Sequence, residues 1–318
     1  MFTVGNLETR GVGCLMHTRT VRAALGCALS LIVSAAALAD PIIVTPTNNA
    51  NTLANALNSA GSGITINSAT YTGAALASGT YTGGTGVVGI DTGIVLTSGN
   101  ATFVSGPNNS TQFSVDNGAA GDAQLNAIVG GTTFNASVLN IDFTPTGSTV
   151  QFSYVFGSEE YNEFVNSQFN DVFAFFVNGV NYALIPGTST AVSINTVNNG
   201  FAGAGQLGSG PCTNCQYYVD NATGTRNTQL DGFTTVLSFV APVNVGVSNT
   251  LKLAIADTSD RVLDSAVFIG GGSFEVCGTP GQPACGTTGT VPEPASLLLL
   301  GSGLALAYRR KYRMSKNN

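Results

Sequence analysis

Apolar residues along this chain come in short runs, mostly five to nine positions long, separated by clusters of Gly, Asn, Asp and Pro. Runs at 63–67, 89–97, 137–143, 149–156 and 172–177 predict strands, as do those at 181–185, 191–197, 234–240, 250–256 and 265–275. Val150-Gln-Phe-Ser-Tyr-Val-Phe and Leu251-Lys-Leu-Ala-Ile-Ala alternate, the period of a strand with two unlike faces. Asn178-Gly179, between two runs, is the pair a two-residue hairpin turn favours, and Asp231-Gly232 is a second turn candidate. Only 49–60 has helical spacing, with Leu53 and Leu57 four apart behind a polar start. The spacers between strands are too short for crossover helices. The pattern therefore predicts an all-β protein, an antiparallel β-sandwich or jelly roll with one short N-terminal helix. Thr-Tyr-Thr-Gly occurs at 70–73 and 80–83, two copies only, which make no solenoid.

Both ends depart from this pattern. Residues 16–39 run from Met16-His-Thr-Arg-Thr-Val-Arg into AALGCALSLIVSAAALA. A basic start, an apolar stretch and Ala37-Leu38-Ala39 before Asp40 read as a signal peptide over 1–39, cleaved between Ala39 and Asp40. Met16 would make a more conventional start than Met1. At the other end, a Gly/Pro/Thr linker over 277–291 leads to Pro292, Glu293 and Pro294, then to an apolar run at 295–308 and the basic cluster Arg309-Arg-Lys-Tyr-Arg. Fourteen residues span roughly 21 Å as a helix, short for a bilayer core that takes about 20 apolar residues. The basic cluster marks a cytoplasmic side. These features resemble the PEP-CTERM sorting signal of Gram-negative bacteria. The resemblance implies processing near Pro-Glu-Pro by an exosortase, an integral membrane protease-transpeptidase, in organisms that produce exopolysaccharide. A plain membrane anchor is the alternative.

Charge sharpens the picture. Of 318 residues only 9 % are charged, and tryptophan is absent. Between residues 40 and 290 three basic residues, Arg226, Lys252 and Arg261, face fifteen acidic ones, a net charge of −12. A body this acidic is a poor nucleic-acid binder, since phosphate contacts need clustered Lys and Arg. The one histidine, His17, lies in the signal segment, so His-based triads, general bases and metal sites are excluded from the body.

Several motifs keep their order through the body. They are Gly93-Ile-Val-Leu-Thr-Ser-Gly; Phe156-Gly-Ser-Glu-Glu-Tyr-Asn-Glu-Phe-Val; Asn170-Asp-Val-Phe-Ala-Phe-Phe-Val-Asn-Gly; Gln229-Leu-Asp-Gly-Phe-Thr; and the segment from Leu253 through Asp257, Asp260 and Asp264 to Ile269. Together they resemble the choice-of-anchor L domain of exported bacterial proteins, over about residues 50–276. The resemblance implies a surface-directed β module over 40–276 and carries no settled biochemical activity.

Glu159, Glu160, Glu163 and Asp171 fall within thirteen residues, and Asp257, Asp260 and Asp264 within eight. Both groups border predicted strands and have few basic neighbours. Carboxylates gathered without a cation repel, and some must keep a proton. Calcium takes six to eight oxygen ligands, so Glu159, Glu160, Asp171, Asp257 and Asp264 are the candidate ligands of a Ca2+ ion. Asn162, Asn166 and Asn170 are candidate amide contributors. Solvated turn acids are the plainer alternative. A glycosidase, needing two carboxylates about 5–10 Å apart, is the enzymatic one. Adjacent Glu159 and Glu160 would point to opposite faces if extended, so they are not that pair. Four cysteines remain after signal removal: Cys212, Cys215, Cys277 and Cys285. An even count in an exported chain favours disulfides. Of three connectivities, the local one, Cys212–Cys215 and Cys277–Cys285, is expected because each pair shares a loop or linker. The sequence thus predicts an exported, non-catalytic surface or matrix module, stabilised by calcium. Its expected partners are signal peptidase, exosortase and an extracellular polysaccharide.

Overall fold

The computed structural model describes residues 39–286. The signal segment up to residue 38, the sorting motif with Pro292, Glu293 and Pro294, and the apolar run 295–308 lie outside them. Fourteen strands form two antiparallel sheets. The first runs in the order β1 (Ile43–Pro46), β3 (Ser78–Thr82), β4 (Gly93–Thr97), β13 (Ser265–Gly270), β6 (Thr149–Ser158), β10 (Gly232–Thr234) and β9 (Tyr218–Asp220). Strands β11 (Leu237–Pro242) and β14 (Glu275–Val276) also pair with β6, which is thus occupied along both edges. The second sheet runs β2 (Ile64–Thr72), β5 (Thr133–Pro145), β12 (Asn249–Thr258), β7 (Val172–Val177) and β8 (Val180–Asn181).

The strand period decides what lies between the sheets. Ile94 and Leu96, Phe152, Tyr154 and Phe156, and Val267 and Ile269 of the first sheet meet Leu139, Ile141, Phe173, Phe175, Leu253 and Ile255 of the second. Phe152 is at the centre, stacked on Phe239 at 4.4 Å and edge-on to Phe175 at 4.8 Å. Helix α1 (Ala50–Leu57) adds Leu53, Ala54 and Leu57. Its N-cap is Asn49, whose side chain accepts from Thr52 N.

Several strands have no polar face because both faces are covered. In β7, Phe173, Phe175 and Val177 point between the sheets, while Val172, Ala174 and Phe176 pack with Leu125 of helix α2 (Ala123–Val129). In β4 and β13, Val95, Ala266 and Phe268 pack outward with Tyr81 and Phe103. Such strands read as unbroken apolar runs rather than alternations.

Some expectations need correction. Helix α2 is only seven residues long, under two turns, too short for its apolar residues to set a clear period. Its Asp122 N-cap, accepting from Gln124 N and Leu125 N, and its left-handed Gly130 C-cap are nevertheless the residues such ends favour. The run 191–197 forms isolated bridges, Leu184 with Ala191 and Val172 with Ser193, instead of a strand, although Val192, Ile194 and Val197 are buried. The run 234–240 divides into β10 and β11, and 265–275 breaks into β13 and β14 at consecutive glycines 270–272. Asp231-Gly232 is not a hairpin turn: Gly232 opens β10. Asn178-Gly179 does join β7 to β8, with φ of +48° and +84°, the left-handed pair a type I′ turn requires. Cys212 is bonded to Cys215, and Cys277 to Cys285.

Candidate functional site

One end of the sandwich gathers the acids. There β6 ends at Ser158, β12 ends at Thr258, β7 begins at Val172 and β13 begins at Ser265. Asp171, at the mouth of the second sheet, accepts from Thr258 N at 2.8 Å and from Ser265 Oγ of the first sheet at 2.7 Å. Ser265 Oγ also lies 2.8 Å from Ser158 Oγ. Asp171 thus bridges the sheets. Asp257 accepts from Asn135 Nδ2 at 3.0 Å. Glu160 completes this inner group, its charge opposed by those of Asp171 and Asp257.

Glu159 belongs elsewhere. Ser158 pairs with Gly232 of β10 on one side and Ser265 of β13 on the other. One residue further, this register sets Asp231 and Asp264 on either side of Glu159, and Glu159 N donates to Asp264 O at 3.1 Å. Residues opposite one another in antiparallel strands share a face, so the three carboxylates form a row across the sheet. The segment 108–115 closes over this row. Asn108 Nδ2 donates to Asp231 at 2.6 Å, Phe113 N to Glu159 at 3.3 Å and Val115 N to Asp264 at 3.1 Å.

All six of these carboxyl groups are 0–1 % exposed. Burial raises every one of them above the ordinary carboxylate range, because an apolar surround disfavours the ion. Glu159 is pushed up to about 9, by burial first and by Asp231 next. Asp264 and Asp231 are each raised to about 7, chiefly by burial. Glu160, Asp171 and Asp257 are all raised, by burial first; the charge of Asp171 adds to Glu160 and Asp257, and those of Asp260 and Asp264 add to Asp171, which its bonds from Ser265 and Thr258 hold down in part. No basic side chain relieves them: the ion pairs among the described residues are Lys252–Asp122 and Arg261–Asp116. Arg261 reaches the group only through Asn135, donating to its Oδ1 at 3.1 Å.

Several oxygens here have no partner. They are Glu160 Oε2, Asp257 Oδ1 and Thr258 Oγ1 in the inner group, and Glu159 Oε1 and Asp231 Oδ2 in the outer row. Among the described residues, no three His, Cys, Asp or Glu side chains stand close enough to make a metal shell by themselves. A bound cation would therefore take hydroxyl, amide or main-chain oxygens as well as carboxylates.

The five sequence candidates are thus all at this end but not at one point: Glu160, Asp171 and Asp257 lie inside, Glu159 and Asp264 outside. The three asparagines are committed elsewhere or peripheral. Asn162 donates to Asp220, Asn170 accepts from Asn195 N, and Asn166 N bonds Asn195. Asp231, Asn135 and Thr258 were missed. Asp231 was hidden inside an Asp-Gly pair that imitates a turn, and the other two lie in strands. Ala39 O, at the expected cleavage junction, accepts from Asn227 Nδ2 at 2.7 Å, and Asp40 is exposed. Away from the acids, a cleft of about 550 Å³ runs beside α2, lined by Thr72, Asn117, Asp122, Asn140 and Lys252.

The choice-of-anchor L domain family matches residues 43–275, a stretch that holds all six buried carboxyl groups. The chain belongs to the choice-of-anchor L domain family. Residues 290–311 match the PEP-CTERM protein-sorting motif, which makes this choice-of-anchor L protein an exported one, held at the membrane for sorting and processed by exosortase. Both matches are of anchoring and sorting type rather than catalytic. Searches of curated proteins and of solved structures return no match. Among the described residues no helix is long and apolar enough to cross a membrane.

Proposed function

We propose that this choice-of-anchor L protein is a non-catalytic surface or matrix module of a Gram-negative, exopolysaccharide-producing bacterium, and that calcium stiffens it. One observation carries the calcium reading. Glu160 Oε2, Asp257 Oδ1 and Thr258 Oγ1 are buried where the two sheets meet, with no hydrogen-bond partner and no basic residue paired with them. A hard divalent cation accepts mixed carboxylate, hydroxyl and carbonyl oxygens. Placed among Glu160, Asp171 and Asp257 it would replace repulsion with ligation and tie β6, β7 and β12 together.

Burial favours a non-catalytic role. Glycoside hydrolysis needs two carboxylates that flank a sugar, and carboxyls 0–1 % exposed leave a sugar no approach. The sorting motif favours a place beside exopolysaccharide. The cleft beside α2, walled by amides and the Lys252–Asp122 pair, offers hydrogen-bonding groups to sugar hydroxyls. Signal peptidase and exosortase are the processing partners this reading requires.

The test is thermal melting of the exported protein after chelation. Calcium at a hundredfold excess over its Kd should add about 2.7 kcal/mol, and magnesium less, because it demands a tighter octahedral shell. Identical melting curves in calcium and in chelator overturn the calcium reading. Release of reducing ends from exopolysaccharide, instead of retention without product, overturns the non-catalytic one.

A further inference from the structure

We propose that Glu159 and Asp231 hold a second divalent cation, at the end of β6 and apart from the group of Glu160. The inference rests on the calcium reading of the strand ends and extends it to a site with different residues.

The row Asp231–Glu159–Asp264 sets three carboxyl groups opposite one another at the ends of three strands, an arrangement in which their ionisation is opposed unless a cation offsets it. Asp264 has a donor within reach of both oxygens, the single N–H of Val115, which lies 3.1 Å from each. Glu159 and Asp231 are each 0 % exposed, and Glu159 Oε1 and Asp231 Oδ2 have no partner. Neither of the two ion pairs touches them.

The covering segment adds oxygens of the right kind. Gln229 Nε2 stands among three acceptors: Ser110 O at 2.6 Å, Asn108 Oδ1 at 3.3 Å and Glu159 Oε2 at 3.4 Å. An amide nitrogen has two hydrogens for three such oxygens. The pocket is therefore richer in acceptors than in donors, even before the two free carboxylate oxygens are included. A calcium-type ion suits this set of two carboxylates, an amide oxygen and a main-chain carbonyl, which calcium accepts together. By binding there it would pin segment 108–115 to β6 and β10, on the outer face of the first sheet. The inner ion would instead join the two sheets.

The experiment is isothermal titration of the chelator-stripped exported protein with calcium chloride. Two ions per chain are expected. Asp231→Asn keeps the shape, removes one of the opposed charges and should weaken one binding step by at least about tenfold, leaving the other intact. Glu159→Gln should do the same. Asp171→Asn should weaken the other step instead. Circular dichroism of each variant confirms that the fold persists. A single site that Asp171→Asn abolishes and Asp231→Asn leaves unchanged overturns this inference while sparing the calcium reading above. Two sites that are both insensitive to Asp231→Asn overturn it as well. No binding at all overturns both.

Discussion

At the scale of single residues, adjacent glutamates do different things because Glu159 carries on the pairing register of β6 while Glu160 opens the turn that follows it. Glu159 turns toward Asp231 and Asp264, and Glu160 toward Asp171 and Asp257. Gly99 is fixed by the same crowding. A Cβ built on it would lie 1.8 Å from Asp264 Oδ2, so any side chain must displace a buried carboxylate. Gly99→Ala should lower stability by about 1–3 kcal/mol, the usual cost of overpacking, as read from urea unfolding. An unchanged midpoint would show that the loop yields freely. Phe152 fills the middle of the core against Phe239 and Phe175. Phe152→Ala should cost about 3–5 kcal/mol in the same measurement.

At the scale of elements, α2 shows how one acid can serve two structures. Asp122 Oδ1 caps the helix through Gln124 N and Leu125 N, while its Oδ2 pairs with Lys252 of β12 at 2.6 Å. Asp122→Ala removes both at once. Loss of an N-cap alone costs about 1 kcal/mol, and the half-buried Lys252 loses its counter-charge. A drop of about 1–2 kcal/mol in urea is expected, and a drop no larger than a few tenths would show that neither contact contributes. Cys277–Cys285 closes a short loop directly after β14. In the loop-entropy account, closing so short a loop stabilises by about 2–3 kcal/mol, less than a long one would. Non-reducing peptide mapping should recover Cys212 with Cys215 and Cys277 with Cys285; a peptide linking Cys212 to Cys277 would contradict the pairing.

For the whole molecule, buried acids tie stability to pH. Glu159, Asp231 and Asp264 are raised to about 9, 7 and 7 in the folded protein, against about 4 in an unfolded chain. Below pH 4 both states are protonated, and their contribution is fully present. Above it, the unfolded chain releases protons that the fold retains. Stability then falls as pH rises toward 7–9, by up to about 1.4 kcal/mol per pH unit for each such group. In chelator, the melting temperature should therefore fall from pH 5 to pH 8. With calcium the fall should flatten, since the ion replaces the proton. A melting temperature that rises over this range in chelator would contradict the burial of these acids. Processing is the other property of the whole chain. Intact mass of the surface form should show a start at Asp40 and an end near residues 292–294; a chain ending at Asn318 would mean a retained anchor.

The sequence alone determined what depends on local order: the C-terminal sorting motif, the family motifs, the β class, the Asn178-Gly179 turn and the lack of a histidine anywhere from residue 40 to residue 290. Helix α1 was legible because Leu53 and Leu57 repeat at the helical period. Helix α2 was not, because its position is set by contact with Val172, Ala174 and Ala254 on a distant sheet face. The acids were legible as two clusters but not as a site. Which carboxylates face each other depends on the pairing of β6 with β10 and β13, between residues some seventy to a hundred positions apart. That register brought Asp231 into the row with Glu159. It also divided the five candidates between two groups, because Glu159 stays in the register of β6 while Glu160 opens the turn beyond it. Only the tertiary structure could show that these acids are buried, and burial turns a run of surface charge into a demand for protons or a cation.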